Sequence, residues 1–185
     1  MLNKRYGLWA AVLLIAPILA WSDDESPLLL KSRELTADYA TQLKAALQES
    51  MAAGGPVEAI SVCTDVAPQL ASQISRASGA RVGRTSWRFR NPANAPNDWE
   101  AQALNHLEAT GNQEYFEMLP NGGARYLKAI PTGPVCVSCH GETLAPVIKD
   151  QLAEAYPHDR ATGFAVGDLR GAFSVSWPAA SSETD

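Results

Sequence analysis

The chain has 185 residues, 46% of them hydrophobic, and a formal net charge of −5. That length supplies one domain with a proper core and little beyond it. The acidic balance excludes nucleic acid and anionic membrane surfaces as charge-driven partners.

Residues 1–22 read as a signal peptide. Lys4 and Arg5 form a positive start, Gly7 to Ala20 is an apolar run without charge, and Ala20-Trp21-Ser22 offers small residues for cleavage. The run falls short of the roughly 20 apolar residues of a bilayer span. Release into the periplasm is therefore expected, with no membrane attachment after cleavage and an uncleaved anchor as the alternative. Losing Lys4 and Arg5 takes the formal charge to about −7. A basic redox partner, of unknown identity, would suit that acidity.

Pro27 to Ala53 predicts a long helix with Leu35, Tyr39, Leu43 and Leu47 on one face. That stripe is wide enough to leave room for a homodimer. Gly54-Gly55 stops the helix and Pro56 opens a second one. In the second helix Ile60, Cys63, Ala67, Leu70 and Ile74 share a stripe, and Pro68 predicts a kink. Arg81 to Arg90 is strand-like, with Val82, Thr85, Trp87 and Phe89 among arginines. A Pro- and Asn-rich loop follows. Asn97 or Asp98 caps a helix that carries Trp99, Ala103, Leu104 and Leu107 and stops near Gly111. Tyr115–Leu119 and Ala124–Ile130 predict a hairpin around Pro120-Asn121-Gly122-Gly123.

Cys136-Val137-Ser138-Cys139-His140 then has the spacing of a c-type haem attachment site. Two thiols would add across the vinyl groups of one haem, and the adjacent His140 would give its imidazole to the iron. A thioredoxin-like pair needs a strand-to-helix junction in a βαβ unit, whereas this motif follows the turn-rich Pro131-Thr132-Gly133-Pro134. A zinc site needs a second ligand pair, and none is evident. Export and covalent haem support each other, because this haem is attached outside the energy-transducing membrane.

A helix over 144–155 follows, then a Gly- and Asp-rich loop, a strand from Gly171 to Trp177, and a polar tail over 179–185. The fold class expected is α+β: an antiparallel sheet flanked by helices, with a long N-terminal helix, over residues 23–178.

Cys63 is left over by parity, since the haem takes two of three cysteines. On helical position alone it reads as a small buried hydrophobe, with an iron ligand as the alternative. Other candidate sixth ligands are His106, His158, Met51 and Met118, and the remaining case is an open site. His106 suits a packed or half-exposed helix position, and His158 a solvated loop. Arg81, Arg84, Arg88 and Arg90 read first as a solvated face with salt bridges. The sharper reading pairs one of them, Arg84, with a haem propionate. Asp168 and Arg170 fit a tight loop or a haem contact equally.

Four stretches together resemble a family of single-haem c-type proteins with a PAS-like fold. Its members are small exported haem proteins and sensory regions of signalling proteins. The stretches are Ala59–Cys63, Val82–Ser86 running into Arg90–Pro96, Cys136–Gly141 and Ala161–Ala172. The resemblance implies a haem held by His140 on one side and by a Cys63 thiolate on the other. It departs at Ala165, where a basic residue is expected. His/Cys ligation implies a low-potential centre. One-electron transfer or redox sensing is the function this implies, rather than enzyme catalysis with catalytic residues. The alternative is a sensor of nitric oxide or carbon monoxide that signals through a partner protein.

Overall fold

The computed structural model describes residues 25–179. The expected signal peptide, and the tail beyond residue 179, lie outside the described residues. Among those described, no helix is long and apolar enough to cross a membrane.

Helix α1 spans Pro27–Glu58, with the proline in its first turn. The chain leaves helical geometry at Gly55, where φ is 72°. This is the stop expected from Gly54-Gly55, and Pro56 restarts the helix beyond it. A π-helical turn, Val62–Val66, then leads into α2, Ala67–Ser78. The expected kink thus lies upstream of Pro68. A proline ring clashes with the carbonyl four residues back, here that of Thr64, and a widened turn relieves the clash. The Ala67 N–H accordingly donates to the Val62 carbonyl, five residues back.

Strand β1 covers only Arg81–Thr85. The sequence reading carried this strand to Arg90. Instead the Ser86 N–H donates to the Asn94 carbonyl at 3.1 Å and its hydroxyl to the Arg170 carbonyl at 2.7 Å, which turns the chain away from the sheet. Helix α3, Asp98–Thr110, begins with a capping box between Asn97 and Glu100 and ends at Gly111, where φ is 69°. The hairpin is β2, Glu114–Met118, and β3, Ala124–Pro131. A single helical turn, α4, Val137–His140, carries the cysteine motif. Helix α5, Pro146–Ala155, and strand β4, Leu169–Trp177, complete the order.

The four strands form one antiparallel sheet in the order β1-β4-β3-β2. Its two faces are read by alternation along β4. Phe173 and Val175 face α1 and α2, where Tyr39, Ile74, Val82 and Tyr126 join them in one buried cluster. Tyr39 meets Phe173 edge-on at 5.2 Å. Ala172 faces α3 instead, against Ala103, Leu104 and Leu107. A third cluster, Ile60, Ile148, Leu152 and Tyr156, packs α5 against the segment after α1. The α+β class expected from the sequence therefore holds, with helices on both sheet faces.

The α1 stripe serves the fold and the site, with Tyr39 buried and Leu35, Leu43 and Leu47 half-buried. Leu35, Tyr39 and Leu43 serve the sheet-facing cluster, and Leu43 and Leu47 line the cavity described next.

Candidate functional site

A cleft opens between the C-terminal half of α1, the π-helical turn, the start of the 86–94 loop and α4. The space between these walls is about 1120 Å³ with the open solvent at its mouth counted in. Cys63, Arg84, Cys136, Cys139 and His140, the five site residues expected from the sequence, all line it.

Cys136, Cys139 and His140 lie on one side of α4 because residues three and four apart are neighbours on a helical turn. The His140 N–H donates to the Cys136 carbonyl at 2.9 Å, which sets that turn. None of the three cysteines is paired in a disulfide. Burial pushes the Cys139 thiol above its usual range, opposed by nearby Arg90.

The imidazole is held from two sides. Its Nδ1 sits 2.7 Å from the Ala161 carbonyl, which accepts the proton and leaves Nε2 as the free lone pair. Phe164 stands edge-on at 6.4 Å, and the guanidinium of Arg88 covers Phe164 at 3.7 Å. Burial, then Arg170 and Arg90, push the His140 pKa down to about 2, against the Ala161 hydrogen bond. The ring is therefore neutral at physiological pH, as a metal ligand must be.

Arg90 is buried and locks the motif in place. Its Nε pairs with Asp159 at 3.1 Å, and its Nη2 donates to the Cys139 carbonyl at 2.5 Å and to the Ala161 carbonyl at 3.3 Å. Arg88 donates to the Thr162 carbonyl. Of the four arginines read as a solvated face, only Arg81 is exposed. The loop that carries His158, residues 156–160, reads from the sequence as solvated. Tyr156 and Asp159 correct that: Tyr156 is buried in the α5 cluster and lines the cavity, while Asp159 meets Arg90.

Cys63 lies in the π-helical turn and packs with Cys139 on that same α5 cluster. Met51 also lines the cavity. The other rival ligands do not. His106 is exposed beside Tyr115, His158 is exposed, and Met118 is 48% exposed with Ser26 Oγ at 3.5 Å from its sulfur.

Sequence reasoning left Arg170 undecided. Alternation from Ala172 would put it on the α3 face, yet it lines the cavity. A register shift between Ile130 and Pro131 and the φ of 145° at Gly171 re-aim it. Asp168, by contrast, holds its loop by accepting from the Ala165 N–H at 2.8 Å.

The alternatives weighed for the motif find no support in this setting. The sheet is antiparallel throughout, so the motif sits in no βαβ unit. Among the described residues no cluster of three His, Cys, Asp or Glu side chains could hold a metal ion. The donor set instead fits a flat cofactor carrying its own metal: paired thiols on a turn, a neutral imidazole beside them, and apolar walls from α1.

Residues 23–178 match the profile of the Tll0287-like family. The chain belongs to that family. It is also similar to a solved structure described as the cyanobacterial heme-protein Tll0287, at 30% sequence identity and a TM-score of 0.63. The match covers 83% of this chain and 97% of that one. Comparison with curated proteins gave no match. For a Tll0287-like chain, the cavity wall thus comes from segments spread along nearly the whole matched length, from α1 to β4.

Proposed function

We propose that this chain is an exported, PAS-like monohaem protein that transfers single electrons at low potential. One haem c would be attached covalently through Cys136 and Cys139, with His140 and Cys63 as axial ligands. The observation that carries the reading is that both attachment cysteines, a neutral imidazole and a third thiol line one cavity. The family's heme-protein member supports the cofactor class.

When bound, such a group supplies one-electron chemistry at iron, and a thiolate ligand lowers its potential relative to methionine. The chain's own contribution is positional. Ala161 holds the His140 tautomer, Arg90 fixes the motif's backbone, and Leu43 and Leu47 supply an apolar wall. With two protein ligands on the iron no position is left for a substrate, so the reading is a carrier, or a redox sensor acting through a partner protein, and not an enzyme.

The test is the absorption and electron paramagnetic resonance spectrum of the haem-loaded protein beside Cys63→Ala. A low-spin thiolate signature lost in the variant supports the reading. An unchanged spectrum moves the sixth ligand to Met51, the other candidate in the cavity. A wild-type protein that takes up nitric oxide or carbon monoxide at micromolar levels, displacing Cys63, would favour gas sensing over electron transfer.

A further inference from the structure

Four arginines border the cavity: Arg84, Arg88, Arg90 and Arg170. No carboxylate is among its lining residues. Two of the four are already engaged. Arg90 is paired with Asp159, and Arg88 is held by the Thr162 carbonyl and the Phe164 ring.

Arg84 and Arg170 are different. Among the described residues neither guanidinium meets a carboxylate within salt-bridge distance. The Arg170 Nε is sealed from solvent without a hydrogen-bond partner. Its backbone is nevertheless well fixed, because its carbonyl accepts from the Ser86 hydroxyl at 2.7 Å. Arg84 lies on β1 opposite Phe173, on the sheet face that looks into the cavity.

Guanidinium groups remain charged in proteins, and an uncompensated buried charge is strongly unfavourable. Two of them turned into one acid-free cleft call for a partner with two negative charges. Planar five-donor forks match carboxylates in bidentate geometry better than any other common anion except phosphate.

We propose that Arg84 and Arg170 form a paired anion site that receives the two propionate carboxylates of the covalently bound cofactor. This inference rests on the haem reading above. It adds Arg170 as the more enclosed member of the pair and gives both arginines a second consequence. Reduction adds one negative charge at the iron, and nearby positive charge favours the reduced state. The pair therefore raises the potential above the value that thiolate ligation alone would set.

The test uses the holoprotein, in which the covalent bond to haem retains the cofactor whatever happens at the propionates. Wild type, Arg170→Gln, Arg170→Lys and Arg84→Gln are compared by spectroelectrochemistry, and the propionate bending bands are read by resonance Raman. The expected result is a downward shift of potential and a moved propionate band in both glutamine variants, with Arg170→Lys closer to wild type. An equal shift in Arg170→Lys and Arg170→Gln would indicate a packing disturbance and overturn the inference. A shift at only one of the two arginines would overturn the pairing. If Arg170→Gln fails to fold, Arg84→Gln decides alone: an unchanged potential overturns the pair. Intact-protein mass separates the two levels, since a wild-type chain without the added mass of haem would remove the cofactor reading itself.

Discussion

The carbonyl of Ala161 serves two donors at once: His140 Nδ1 at 2.7 Å and Arg90 Nη2 at 3.3 Å. The Ala161 N–H in turn donates to Asp159, the carboxylate that pairs with Arg90. Imidazole orientation and a buried ion pair are thus closed into one ring of contacts.

Arg90→Met breaks that ring and leaves Asp159 buried without its counter-charge. Removing one partner of a buried pair costs about 3–5 kcal/mol. A loss of unfolding free energy of that size, read from denaturant unfolding curves, is expected. A loss below about 1 kcal/mol would mean the pair behaves like an exposed one.

Gly171→Ala should destabilise by at least about 1–3 kcal/mol, the usual cost of a strained backbone position. Its φ is 145°, and an added Cβ would strike the Thr85 carbonyl and the Ser86 side chain. Gly83→Ala on β1 is the control, since a Cβ there meets nothing within 4 Å. Thermal unfolding of both variants decides it; equal midpoints would refute the steric account.

Acid should destabilise the protein partly through Glu114. Arg33 first, then the Tyr126 hydroxyl, hold this carboxyl below its ordinary value of 4.5, against the effect of burial. A depressed folded-state value means the unfolded chain binds protons more readily. The contribution is therefore complete above about pH 4.5 and is lost as the pH falls through the lower, folded value. Denaturant titrations of wild type and Glu114→Gln should diverge above pH 4.5 and converge in acid. Parallel curves would exclude this source.

Cys63→Met should raise the reduction potential of the haem-loaded protein, because His/Met ligation favours the ferrous state more than a thiolate does. Redox titration against wild type gives the sign. A potential that stays put would argue that Cys63 does not touch the iron.

Local chemistry made much of this legible in advance. The helix stops at Gly55 and Gly111, the Asn97 cap and the hairpin around Gly122 are set by residues close in sequence. What escaped depends on distant partners. No local pattern announces that β1 ends at Thr85, because the decisive bonds come from Asn94 and Arg170. Pairing of Arg90 with Asp159 joins segments 69 residues apart. Pro68 hints at the irregular turn that carries Cys63 but does not specify its position. The place of Arg170 stays open in the sequence, since a register shift breaks the period of two that would otherwise assign its face.

The π-helical turn also carries a thermodynamic implication. It presents Cys63 to the same cavity as a histidine about 77 positions further along the chain. In the proposed ligation, one iron ties those two points together as a disulfide would. Closing a loop of that size removes chain entropy worth roughly 4–5 kcal/mol from the unfolded state by the disulfide relation. Any event that weakens the Cys63 bond, reduction of the metal included, would give part of that constraint back to the chain. Electron occupancy and resistance to unfolding would then be two readings of one equilibrium.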